Sequence, residues 1–104
     1  MEVTTFSTYS SVGLLKKTGP NEWSDEIMVN LEFIHLKDDG TFAPGISDEQ
    51  LLEVLIRRSE HFQEVLPCEE NVMTLMHLRA ALKAKHERTA KRRALGVEGT
   101  HQAH

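Results

Sequence analysis

The chain has 104 residues, 39% hydrophobic and 27% charged, with a formal net charge of −4. These values describe one small soluble domain with a modest core, for which self-association is a natural further source of stability, and they exclude a disordered chain. The one cysteine, Cys68, excludes an internal disulfide or a multi-thiolate zinc site, and no apolar run approaches the ~18 residues of a membrane span.

The opening "MEVTTFSTYSS" has neither the basic start nor the apolar core of a secretory signal, so the expected location is the cytosol. "VTTFSTYSSVGLL" is rich in β-branched and aromatic residues and reads as strand. Gly19-Pro20-Asn21 supplies a turn. "EIMVNLEFIHL" then sets Ile27, Val29, Leu31 and Phe33 against Met28, Asn30 and Glu32 with period two. Asp39-Gly40 is a hairpin signal. Residues 1–44 therefore predict a small antiparallel sheet of two or three strands.

A helix start follows. Ser47 at the N-cap and Gln50 three positions on form a capping box, with Asp48 and Glu49 at the positive end of the helix dipole. This helix is expected over about 47–65, because the residue before Pro67 resists helical geometry. A second helix is expected over about 68–95, closed by Gly96. The short connection makes the two an antiparallel αα-hairpin over 45–95, and residues 96–104 read as a tail. The fold class is thus α+β: a small N-terminal sheet followed by a long helical hairpin that oligomerises through its helices. At 1.5 Å per residue the helices are roughly 25 Å and roughly 40 Å long, so the longer one overhangs its partner.

That overhang is basic. Residues 79–93 hold seven of the twelve Lys and Arg residues and one acid, a local charge of +6, while the rest of the chain is −10. Cations near a helix C-terminus are favoured by the dipole, and a charge run is often only a solvated face. The alternative is anion binding: Arg88 and Arg92, four apart, stack on one helix face and can each offer a bidentate fork to a phosphate or pyrophosphate. A net negative chain is poorly steered to duplex nucleic acid, and a small phosphorylated ligand suits it better.

The segments "GISDEQLLEVLIRRSEHFQ", "PCEEN" and "ERTAKRRALGVEGTH", in this order and spacing, resemble the helical-hairpin domain of phage nucleotide-sponge proteins. These are the anti-Thoeris and anti-CBASS proteins, and the N-terminal sheet agrees with the anti-Thoeris branch. The resemblance covers a little over half the chain. It implies binding and sequestration of cyclic nucleotide immune messengers, cyclic ADP-ribose isomers above all and cyclic di- or trinucleotides besides. It also implies phage evasion of bacterial defence without catalysis, with no cofactor, no metal and no membrane. The assembly it implies is a homo-oligomer: an antiparallel dimer, or a hexamer built as a trimer of dimers. By resemblance the ligand-binding residues are Phe62, Asn71, Arg88 and Arg92. Glu69 stands where the family commonly has arginine, and one residue is missing between Gln63 and Cys68. Glu69 and Glu70 would compete with a phosphate for the free amides of that helix start, which argues against a second ligand site there.

Seventeen residues separate Asn71 from Arg88, roughly 25 Å along a helix. One nucleotide-sized pocket therefore draws Phe62 and Asn71 from one chain and Arg88 and Arg92 from another whose long helix runs antiparallel. No paired carboxylates, nucleophile with base, or histidine pattern suggests catalysis or a metal. The competing readings are a protein–protein inhibitor of a host defence complex and a small nucleic-acid-binding dimer using residues 79–93.

Overall fold

A computed structural model describes residues 3–96. The tail read at 96–104 lies, from Val97 onward, outside the described residues. The chain forms two compact units that meet in sequence between Ile46 and Ser47.

The first unit is a three-stranded antiparallel meander of β1 (Thr4–Thr8), β2 (Ser11–Gly19) and β3 (Glu22–Glu32), in the order β1-β2-β3. A separate two-residue pair follows, β4 (His35–Leu36) with β5 (Phe42–Ala43). The stretch expected as one opening strand is thus two, broken at Tyr9–Ser10, a turn made without glycine, proline or asparagine. Pro20 and Asn21 form the two-residue loop between β2 and β3, and no residue there takes a positive φ. Such a loop matches the twist of paired strands poorly, and the pairing shifts register between Lys17 and Gly19, between Leu15 and Lys17 and between Leu14 and Leu15. Val12, opposite Leu31, is the buried apolar centre of the sheet. Lys17 Nζ rests 4.8 Å from the Trp23 ring centroid across the same pair of strands.

The Asp39-Gly40 signal appears as a tight loop. The Gly40 amide donates to the Lys37 carbonyl at 3.0 Å, and Gly40 takes φ +84°, which a side chain would strain. Asp39 Oδ1 accepts from the Thr41 amide at 2.9 Å and the Thr41 hydroxyl at 2.6 Å, which lowers the Asp39 pKa below its ordinary value. Past Pro44 the chain returns to β3: the Ile46 amide donates to the Glu32 carbonyl and the Ile34 amide to the Ile46 carbonyl, each at 2.8 Å. Gly45 sits inside that crossing. A Cβ there would lie 2.5 Å from the Ile34 nitrogen and 2.6 Å from the Glu32 oxygen, so glycine is required by space.

The second unit is the hairpin of α1 (Asp48–Val65) and α2 (Glu69–Ala94). Both halves of the capping box form: the Ser47 hydroxyl accepts from the Gln50 amide, and Gln50 Oε1 accepts from the Ser47 amide at 2.8 Å. Ion pairs fix the antiparallel register, Arg79–Glu60 near the connection and Lys85–Asp48 at the first residue of α1, both 2.9 Å. Residues 71, 75, 78, 82, 85, 89 and 92 are the half-buried or buried positions of α2 between 71 and 92, and all those between them are exposed. Their intervals alternate four and three, the seam of a helix packed along one line. On α1 the matching line is 49, 52, 56, 59 and 63. Ile56 and Leu75 are its buried apolar pair. No helix among the described residues is long and apolar enough to cross a membrane.

Candidate functional site

The expected site residues fall at two places on the hairpin. Phe62 and Asn71 flank its connection. The Leu66 amide donates to the Phe62 carbonyl at 2.8 Å, and Asn71 Nδ2 donates back to the Leu66 carbonyl at 3.1 Å, so one residue links the two. Gln63 Oε1 accepts from the Cys68 amide at 3.1 Å, supplying the side-chain cap that α2 lacks at Cys68 itself. Much of the "FQ…C…N" pattern therefore clamps the turn around Pro67. Asn71 spends its amide nitrogen on that clamp, and its carbonyl oxygen has no partner among the described residues.

Phe62 is 36% exposed and lies outside the line by which α1 packs on α2. The Arg58 guanidinium carbon sits 4.7 Å from its ring centroid, a cation–π contact, and His61 meets it edge-on at 5.4 Å. Phe62 belongs to a second line on α1: Leu51, Leu55, Arg58, Phe62 and Val65, again at intervals of four and three. Leu55 and Val65 are exposed along it, with Val54 beside them 60% exposed. On α2, Val72, Met73 and Met76 are exposed apolar residues in the turns next to the connection. This second seam was available from the same sequence intervals that mark a helix face. The ring contact of Arg58 and the clamp made by Gln63 were not read from the sequence, although both residues lie in the quoted segment, because the resemblance gave roles only to Phe62, Asn71, Arg88 and Arg92.

Arg88 and Arg92 lie at the other end. Lys85 reaches the first residue of α1, so Arg88 and the rest of α2 lie beyond the last ion pair between the two helices. The two residues differ in exposure. Arg88 is exposed, while Arg92 continues the line of half-buried positions, is 8% exposed and has an interaction partner. Lys91 and Arg93 are exposed beside them, and all three last-turn cations face the negative end of the α2 dipole. Between the two ends runs a groove of about 510 Å³ bordered by Arg79, Leu82, Lys83, His86, Glu87 and Ala90.

The structure links Phe62 and Asn71 through Leu66 at the connection and holds Arg88 about 25 Å and Arg92 about 32 Å from Asn71 along α2, separations no single nucleotide bridges. Among the described residues, no group of three His, Cys, Asp or Glu side chains is placed to hold a metal ion. Chemically, the connection offers an aromatic face, an amide oxygen and a guanidinium; the overhang offers cations for phosphate.

No family model matches the chain. It is 33% identical over 96 residues to Thoeris anti-defense 1 of Bacillus phage SBSphiJ7, an alignment covering 90% of this chain and 66% of that protein.

Proposed function

The chain belongs to the family of Thoeris anti-defense 1, and from that premise we propose that it counters Thoeris defence as a non-catalytic sponge. It sequesters a cyclic nucleotide messenger, a cyclic ADP-ribose isomer first among them, in pockets shared between antiparallel copies. Phe62 stacks on the base, Asn71 Oδ1 takes a base or ribose donor, and Arg88 with Arg92 balances the pyrophosphate.

The observation that carries this reading is the division of the four residues between opposite ends of a rigid hairpin. An antiparallel second copy sets the connection of one chain beside the overhang of the other, and repeats the arrangement by symmetry. Two further features support it. Among the described residues the second unit buries only Ile56 and Leu75 of its large apolar side chains, and Leu55, Phe62 and Val65 of the second seam are exposed. A seam at intervals of four and three is the pattern with which helices pack on one another. The bound messenger is kept whole, since binding asks only for preorganised aromatic and cationic groups.

The test is a calorimetric panel of cyclic ADP-ribose isomers, cyclic dinucleotides and cyclic trinucleotides, followed by heating and mass spectrometry of the released ligand. Tight binding of one cyclic ADP-ribose isomer and its recovery unchanged are expected. Turnover of excess ligand, or no binding across the panel, would overturn the proposal.

A further inference from the structure

Three cations along the hairpin meet an acid, and a fourth, Arg57, has Glu53 and Glu60 at helical spacing on its own helix. Arg79 meets Glu60, Lys85 meets Asp48, and Lys83 lies 3.9 Å from Glu87. Arg57 borders a cavity with Glu53 and Glu60. Arg58 differs. No carboxylate lies within 4.0 Å of it among the described residues, and its recorded contact is the Phe62 ring. Its neighbours three and four positions away on α1 are Val54, Leu55, His61 and Phe62, with no acid among them.

Its place makes this consequential. Arg58 is the central position of the outward seam, between Leu55 and Phe62. If a second copy covers that seam, a guanidinium is carried into a dry contact, and burying a charge without a counter-charge costs far more than the packing around it returns. An arginine in such a position therefore calls for an anion brought to it. Stacking on Phe62 leaves the guanidinium edge, with its N–H donors, free to point away from the ring plane. An anion beside the face of Phe62 is what a nucleotide stacked on that ring would present.

Resting on the shared-pocket reading, we propose that Arg58 is a further ligand-binding residue, donating to a phosphate oxygen of the nucleotide whose base stacks on Phe62. The cation–π contact holds the fork in position before the ligand arrives. Each pocket then takes cations from both chains: Arg58 beside the aromatic, and Arg88 with Arg92 from the opposite copy.

The test replaces Arg58 by methionine, which keeps an unbranched chain on Phe62 and a good helix former while removing the charge. The probes are the cyclic ADP-ribose isomer that binds the unaltered protein most tightly and adenosine as its phosphate-free counterpart. Arg58→Met is expected to weaken the isomer about ten- to hundred-fold, as for loss of one charge-assisted contact. It should flatten the salt dependence of that binding and leave adenosine and the oligomeric state unchanged. Binding equal to the unaltered protein, or an equal loss for adenosine, overturns the inference: Arg58 is then solvated or a prop for the ring. Dissociation of the oligomer also overturns it, because the anion is then a carboxylate of the second copy. If Arg88→Ala still abolishes binding in those cases, the sponge reading stands alone. If the unaltered protein binds none of the isomers, both fall together.

Discussion

Leu75 and Met76 are adjacent on α2 yet point about 100° apart, so truncating each to alanine separates folding from assembly. Leu75 is 6% exposed in the seam against α1, while Met76 is 52% exposed in the turns next to the connection. Removing three buried carbons at about 0.8 kcal/mol each gives about 2.4 kcal/mol for Leu75→Ala, and a residual cavity raises the cost toward about 3. The seam holds few buried neighbours and can collapse around the gap, which keeps the value in the lower part of the usual range. For a unit of this size that lowers Tm by about 10–20 °C. Met76→Ala costs under about 1 kcal/mol in an isolated chain, because half the side chain is already in water. Covered by a second copy, it costs that much again or more, and the extra loss appears as weaker association. Urea unfolding at about 1 and about 100 µM protein, followed by circular dichroism, resolves the two, since only assembly-linked stability depends on concentration. We expect Leu75→Ala to destabilise at both concentrations, and Met76→Ala to lower the midpoint chiefly through weaker association, which narrows the gap between them. A concentration-independent midpoint for the unaltered protein would refute the assembly argument. A negligible effect of Leu75→Ala would refute the seam.

Gly45→Ala should destabilise the N-terminal unit by about 1–3 kcal/mol, the usual range for forced overpacking, because the new Cβ meets the Glu32 and Ile34 backbone; amide exchange across β3 reads it. Ser47→Ala removes the hydroxyl half of the capping box and should cost about 1 kcal/mol, seen as fraying of the first turn of α1. Asp39 has its folded pKa lowered chiefly by the Thr41 hydroxyl and amide, so its stabilising effect is present above the ordinary aspartate pKa. That effect is lost as pH falls through the depressed folded value. NMR titration of Thr41 should show the loop loosening below the ordinary aspartate range, and an unshifted Asp39 would contradict the assignment.

The local grammar of the chain was readable where a residue type has one structural use. Ser47 with Gln50, Asp39 with Gly40, and the halt before Pro67 each appear as their chemistry requires. Gly96, at φ +71°, ends α2 in the conformation that glycine favours. The Tyr9–Ser10 turn was hidden because neither residue is a turn former by type, so the run around it read as continuous strand. At the site, the sequence marked Phe62 and Asn71 as near neighbours and Arg88 as distant, which follows from chain distance alone. Burial could not be read that way. Arg92 is enclosed while Arg88, one turn earlier, is not, a difference set by which of two lines on α2 each occupies. The clamp made by Asn71 was hidden for the same reason: the Leu66 carbonyl approaches it only once the connection has closed.

The claim that each pocket draws on two chains is tested most directly by mixing two defective proteins. Phe62→Ala and Arg88→Ala suit this because both residues are at the surface and neither holds the connection. Each homo-oligomer should bind the preferred cyclic ADP-ribose isomer weakly, since a lost stacking or charge-assisted contact costs about 1–3 kcal/mol. After subunit exchange at equal amounts, about half the dimers are mixed, and each mixed dimer holds one doubly altered and one unaltered pocket. Calorimetry on the exchanged mixture should therefore recover tight sites in about one quarter of all pockets. A mixture that binds no better than its two components, with exchange verified by mass, would contradict a pocket assembled from opposite ends of two antiparallel chains.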